Sequence, residues 1–314
     1  MVNEKKKNQE DFFSAFERSG KESYIPLSDG CEIRALSFEH PPDPQEDIEV
    51  FFVPGMITIF PRWEKVVKEL NEHYIVHYIE TREKFTSHLT RQAKMTIKRM
   101  AQDLAEAEKF FGLQEKQYIT ISSSLGGTLL LEKLAEKAIK PRGSLLVGPT
   151  AEIPFPTGTP FLLRFTPAFV MNLFKPAIRW YFRNILVDRE AEPEQAKQYV
   201  RALNEADFRK VRKCIIKNHN YNGWPILPKI DGRCLLIGAT KDKVHKSELT
   251  LRMGKAMPNC TFVDLGTNKA AHDTPLVKLA QRFIRQEVVG KEERVGIEPE
   301  TIDSEEIEPK QSTA

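Results

Sequence analysis

The sequence predicts an α/β protein built on a doubly wound, mostly parallel sheet and interrupted by a helical insertion. Residues 48–53, 74–79 and 233–238 are near-continuous apolar runs, the pattern of strands covered on both faces. Segments with apolar residues at helical spacing fall between such runs, and this alternation implies parallel strands with helices packed on the sheet. From Pro149 to about residue 228 the alternation stops. There Pro154, Pro156, Pro160, Pro167 and Pro176 punctuate apolar pieces without a buried-strand run, which marks an insertion.

Residues 1–24 are charged and polar apart from Phe12, Phe13 and Phe16; the expectation is a partly ordered N-terminal extension, with a short amphipathic helix that docks these rings on the body or on a partner as the alternative. Ser28, Asp29 and Gly30 read as a turn before a loosely alternating strand at 31–38, and Pro41, Pro42 and Pro44 as a loop. The strand at 48–53 stops at Pro54-Gly55-Met56, and a helix from about Pro61 carries Trp63, Val66, Val67 and Leu70 at helical spacing. The strand at 74–79 ends in Glu80-Thr81-Arg82, whose charged side chains are expected to form structural ion pairs. Ile97, Met100, Ala101, Leu104 and Phe111 mark one stripe of a long helix that Gly112 terminates. Then come a strand around 119–121, a helix over 128–138 and a short strand at 143–147.

Within the insertion, residues 161–186 are rich in Phe and Leu with Trp180 and Tyr181, and Arg164, Lys175, Arg179 and Arg183 are interspersed. Two polar, basic helices are expected at about 193–204 and 207–217. The alternation resumes with a strand at 233–238, a helix at 247–257, a strand at 260–265 and a last helix with Leu276, Leu279, Ala280, Phe283 and Ile284 on one face. Beyond Gly290 an acidic run with few large apolar residues reads as a solvated tail. The expected division is an extension at 1–24, a core at 25–150 and 229–288, a helical cap at 151–228 and an acidic disordered tail at 289–314.

Composition narrows the function classes. The 314 residues are 40% hydrophobic, enough for a substantial core. Lys+Arg of 47 against Asp+Glu of 44 leaves +3, too balanced to argue for a nucleic-acid partner. Cys31, Cys214, Cys234 and Cys260 are widely spaced, lack metal-ligand pairing, and read as reduced. The Lys-rich start is followed by no apolar signal region, and no window approaches 18 uninterrupted apolar residues, so a cytoplasmic location without a transmembrane helix is expected.

The chemistry centres on Ser122-Ser123-Ser124-Leu125-Gly126-Gly127, where an apolar strand meets a helix at a sharp turn. A serine on such a turn stands clear of the backbone, and the following helix offers free N–H groups and a positive dipole end to a developing oxyanion. The turn needs small residues two places either side of the nucleophile. Ser124, with Ser122 before and Gly126 after it, meets that need; Ser123 would put Leu125 at the crowded position. Serine also needs a base, and the base a carboxylate. Asp242 follows the strand at 233–238 and His272 follows the strand at 260–265, so both fall at the sheet edge of Ser124. Glu152 is the alternative acid, and His245 the nearest rival histidine.

With Ser124, Asp242 and His272 in that order, each after the expected strand, the chain resembles the α/β-hydrolase superfamily over roughly residues 25–288, helical cap included. The resemblance implies an oxyanion hole formed by the N–H of Leu125 and one from the loop after the third strand, Met56. Three departures stand out: Ser122 replaces the glycine of G-x-S-x-G, Pro54-Gly55 stands where many members have His-Gly, and Glu80-Thr81-Arg82 replaces an Asp-x-Arg-Gly turn. The implied activity is serine hydrolysis of a small-molecule carboxylic ester with an apolar acyl or alcohol group, requiring no metal or organic cofactor. Thioester hydrolysis and acyl transfer use the same triad. A non-catalytic hydrolase-like scaffold that binds a lipid or a protein partner is the rival class, and peripheral membrane contact through 161–186 is a third reading.

Overall fold

In the computed structural model the described residues are 13–44, 47–153, 158–166, 170, 176, 180, 200–241 and 247–288. Eight strands form one sheet: β1 (Lys21–Pro26), β2 (Glu32–Phe38), β3 (Glu49–Val53), β4 (Ile75–Ile79), β5 (Tyr118–Ser123), β6 (Ser144–Val147), β7 (Cys234–Gly238) and β8 (Cys260–Asp264). Their spatial order is β1-β2-β4-β3-β5-β6-β7-β8. β2 runs antiparallel to β1 and β4, and every pairing from β4 to β8 is parallel. The expected doubly wound, mostly parallel sheet is therefore the fold, and the carboxyl ends of β3, β5, β7 and β8 share one edge.

Strand alternation splits the core between the two faces of the sheet. Phe51, Val53, Leu146 and Leu236 join one apolar cluster with α3 (Ile97–Phe110), α4 (Ser124–Ala135) and α7 (Ser247–Ala256). Val50, Phe52, Leu145, Val147, Leu235 and Ile237 join the other, with α2 (Phe60–Asn71) and α8 (Thr274–Val288). The apolar stripe expected on α2 is buried, with Trp63 and Phe60 as its largest members. Among the described residues no helix is long and apolar enough to cross a membrane.

Three boundaries differ from the sequence reading. Residues 13–24, expected as a partly ordered extension, supply instead the alternative short docking helix, α1 (Ala15–Ser19), and the start of the edge strand β1. The polar pattern of β1 concealed it: an edge strand needs few buried side chains, and Ile25 is its buried anchor. Phe16 stacks on Phe38 with ring centroids 4.5 Å apart, which docks α1; Phe12 lies outside the described residues. The helix after β5 begins at Ser124 and ends at Ala135, short of Ala138. Lys137 adopts φ 54°, and the N–H groups of Lys137 and Ala138 donate to the carbonyls of Leu134 and Lys133, a helix-terminating motif usually built on glycine.

The described chain between β6 and β7 carries helices joined by turns and a bridge between Glu152 and Asn222. It includes α5 (Thr159–Phe165), helical residues 200–205 and α6 (Phe208–Asn218), which corresponds to the helix expected at 207–217. Most of 161–186 beyond α5, and all of the tail at 289–314, lie outside the described residues. On α6, Lys210 Nζ donates to the carbonyls of Lys84 and Ser87, each at 2.7 Å, and Lys213 Nζ to that of Ala93 at 2.6 Å. Asn218 accepts from the Ile97 N–H at 2.8 Å and donates to the Met95 carbonyl at 2.6 Å. Arg212 donates to the carbonyls of Leu163 and Arg164, which ties α5 to α6.

Candidate active site

Ser124 follows β5 directly, with φ 43°. A left-handed conformation at a residue with a Cβ costs of order 1–2 kcal/mol and persists only where neighbours enforce it. Packing supplies the enforcement. A Cβ added to Gly126 would lie 2.4 Å from the carbonyl oxygen of Val53 and 2.6 Å from that of Pro54, so the first turn of α4 sits directly against the end of β3. Gly55 is also close, since a Cβ there would lie 3.1 Å from Cβ of Ser124. The three serines differ in access. Ser122 and Ser123 are buried at 0% and 5% exposure, whereas Ser124 is half-buried.

The loop after β3 is strained as well. Ile57, a β-branched residue, has φ 60°. Its side chain packs with Leu203 and Phe208 of the insertion, which helps hold the backbone in this state. The carbonyl of Gly55 accepts a hydrogen bond from Lys84 Nζ and a longer one, 3.4 Å, from the Thr58 N–H. Met56 is half-buried and packs against the cluster that contains Leu125. Two of the three positive-φ non-glycine residues among those described, Ile57 and Ser124, thus flank one small region at the sheet edge.

His272 closes the short helical turn Ala270–His272 after β8 and is half-buried. Its ring lies on that of Trp63, centroids 4.2 Å apart and planes at 33°. Nδ1 is 2.8 Å from the carbonyl oxygen of Asn268. A carbonyl only accepts, so Nδ1 carries the hydrogen in this contact and the neutral ring keeps its lone pair on Nε2. Arg62 donates to the side-chain oxygen of Asn268, and Lys65 pairs with Asp273, so α2 holds the His272 loop at two further points.

Asp242 and its rival His245 lie outside the described residues, while the start of the loop after β7 is described. The Asp264 carboxylate at the end of β8 accepts from the Thr240 N–H at 3.1 Å, the Thr240 hydroxyl at 2.5 Å, the Gly266 N–H at 2.7 Å and the Ser247 hydroxyl at 3.2 Å. Burial raises the pKa of Asp264, but these hydrogen bonds outweigh it and hold the carboxyl below its ordinary value. Neither Asp264 nor Lys84 was singled out in the sequence; an Asp closing a strand and a Lys two places beyond Glu80-Thr81-Arg82 were the available signals. The alternative acid Glu152 is exposed and pairs through its backbone with Asn222.

The structural role expected for Glu80-Thr81-Arg82 is met. Arg82 is fully buried and donates to Asp103 from Nε at 2.6 Å, to Asp29 at 2.9 Å and to the Lys94 carbonyl at 2.9 Å. Burial raises Asp103 to about 6 against the pull of Arg82 and Arg99. Glu80 shares Arg34 with Glu17 and Glu22. All four cysteines are free, and burial pushes the Cys214 and Cys260 thiols up to about 12, which keeps them un-ionised near neutrality. Among the described residues no cluster of His, Cys, Asp or Glu could hold a metal ion.

No protein-family model and no curated protein matches the sequence. Solved structures do match the fold. An enol-lactonase from Burkholderia xenovorans superposes with TM-score 0.67 at 17% identity, covering 83% of this chain and 99% of that one. A thermophilic esterase from Thermogutta terrifontis gives 0.65 at 18% identity, covering 85% and 98%. MenH from S. aureus gives 0.66 at 14% identity, covering 81% and 98%. The fold is that of the α/β-hydrolases, with a helical insertion between β6 and β7.

Proposed function

We propose that the protein is a serine hydrolase of carboxylic esters with Ser124 as nucleophile. The observation that supports this most is the left-handed backbone of Ser124, half-buried beside Gly55 at the carboxyl edge of the sheet and two places before a glycine packed on the end of β3. In this reading His272 Nε2 takes the Ser124 proton as Oγ attacks the ester carbonyl, and the N–H groups of Leu125 and Met56 stabilise the tetrahedral oxyanion. His272 then protonates the leaving alcohol, giving an acyl-enzyme. Water, deprotonated by the same imidazole, releases the acid and restores Ser124. Asp242 is proposed as the carboxylate that stabilises the imidazolium, which requires Nδ1–H to exchange the Asn268 carbonyl for the carboxylate. The enzyme names among the similar structures, an esterase and a lactonase, are consistent with this chemistry.

Hydrolysis of p-nitrophenyl esters of graded acyl length by wild type and Ser124→Ala tests the reading. Turnover that falls to background in Ser124→Ala is expected, and retained turnover would refute the assignment. A fluorophosphonate probe separates the enzyme from a binding scaffold, because an unactivated Ser124 stays unmodified.

A second reading concerns the cap surface. Leu162 and Phe165 on α5 are each 67% exposed and Trp180 is 62% exposed. Apolar side chains presented this way favour peripheral contact of the insertion with a lipid interface, close to where an apolar ester would enter. Co-sedimentation with liposomes of wild type and a Leu162→Ser/Phe165→Ser variant tests it; equal partition would end the idea.

A further inference from the structure

Lys84 joins two loops that the sequence keeps apart. It lies in the turn after β4, where its N–H donates to the Thr81 carbonyl at 3.0 Å and its carbonyl accepts from Lys210 Nζ and from the Ser87 hydroxyl at 2.9 Å. Its main chain is thereby fixed. The side chain is buried, its ammonium paired with the buried carboxylate of Glu83 at 2.9 Å, and it donates a hydrogen bond to the carbonyl oxygen of Gly55 in the loop after β3.

That carbonyl belongs to the Gly55–Met56 peptide, whose other polar group is the Met56 N–H. In a trans peptide the two groups point in opposite directions within one plane, so fixing one fixes the other. Glycine makes this plane easy to rotate, because Gly55 accepts backbone angles closed to other residues. A Cβ at this position would be tight, 3.1 Å from that of Ser124, so glycine fits it with least displacement of its neighbour. The loop thus carries a permissive residue at the point where an oxyanion donor has to be aimed.

We propose that Lys84 is the positioning residue of the oxyanion hole: its ammonium holds the Gly55 carbonyl so that the Met56 N–H stays directed at the oxyanion formed over Ser124. This rests on the ester-hydrolase reading above, with Ser124 as nucleophile and Met56 as donor. The buried Glu83 balances the charge, so that the lock is made without leaving an isolated ammonium in the interior.

The test compares three proteins: wild type, Glu83→Gln, and Glu83→Gln/Lys84→Met, in which no unpaired charge is left behind. A Glu83→Gln/Lys84→Gln variant replaces the last if methionine prevents folding. The rate of fluorophosphonate labelling at Ser124 and the separate kcat and KM for a p-nitrophenyl ester are measured, with thermal melts to verify folding. Removing Lys84 from the Glu83→Gln background is expected to slow labelling and lower kcat by about 10- to 100-fold, short of the 10²–10³ lost when a donor is deleted outright, with KM unchanged. Equal labelling and kcat in the folded double variant and the Glu83→Gln protein would overturn the proposal, as would a loss confined to KM. Absence of Ser124 labelling in the wild type would instead refute the underlying reading, and the two failures are distinct.

Discussion

The imidazole of His272 rests against the indole of Trp63, 4.2 Å between centroids with the planes tilted by 33°, although the two residues lie far apart in sequence. Trp63 stands on α2, the helix that begins just after the Gly55 loop, and is fully buried against Phe52, centroids 4.9 Å apart. One helix therefore sets both the loop proposed to stabilise the oxyanion and the ring proposed to move the proton.

Trp63→Phe keeps an aromatic core residue but shortens the surface on which His272 rests. Turnover of p-nitrophenyl esters is expected to fall by about tenfold through misorientation of the base, and stability by about 1–2 kcal/mol, as for a partial loss of buried volume. Steady-state kinetics paired with urea unfolding reads both.

The backbone strain at Ser124 yields a contrast between two inactive variants. Ser124→Ala retains a Cβ at φ 43°, while Ser124→Gly removes it. The glycine variant is expected to be more stable than the alanine variant by about 1 kcal/mol, the relief of left-handed strain exceeding the added chain entropy. Equal unfolding midpoints would contradict a strained elbow.

Gly126→Ala places a methyl group 2.4 Å from the Val53 carbonyl oxygen, backbone against backbone, where no flexible side chain can yield. The expected cost is about 3 kcal/mol or more, at the top of the range for overpacking, seen as a lowered denaturation midpoint. Activity should fall with it, because separation of α4 from β3 also moves Ser124.

Glu17 makes stability depend on pH. Burial raises its pKa from the ordinary 4.5 to about 7, against the pull of Arg34, since that one guanidinium also serves Glu80 and Glu22. The folded protein then holds more protons than the unfolded chain between those values. The contribution of Glu17 is most favourable below about pH 4.5 and is lost as the pH rises through about 7, a change of order 3 kcal/mol at ~1.36 kcal/mol per unit. Glu17→Gln is expected to gain stability relative to wild type on going from pH 5 to pH 8; denaturation curves at the two pH values check the sign.

What could be read from the chain alone follows from where information is local. Buried parallel strands announce themselves by unbroken apolar runs, and β3, β4 and β7 did so within a residue or two. The atoms that crowd Gly126, the carbonyls of Val53 and Pro54, lie far away in sequence, but the demand for a small residue there was legible from the strand-to-helix turn. β1 was not, since an edge strand with one buried side chain has no pattern distinct from a polar extension. The contacts made by Lys84, Asp264 and Trp63 escaped for another reason: each reaches a residue far away in sequence, and no spacing rule encodes such a contact. The acid expected at Asp242 remains a proposal resting on chain order, supported by the way Asp264 fixes Thr240 two places before it.

The ammonium of Lys210 is surrounded by the carbonyl oxygens of Lys84, Phe85 and Ser87 and by the Ser87 hydroxyl, and burial pulls its pKa down. A cation solvated by main-chain oxygens in this way takes the place of a hydration shell, and lifting it out would strip several acceptors at once. Helix α6 is consequently floor and not door: its amide hydrogens should exchange only when the whole domain opens, at the same slow pace as those of β3 and β5.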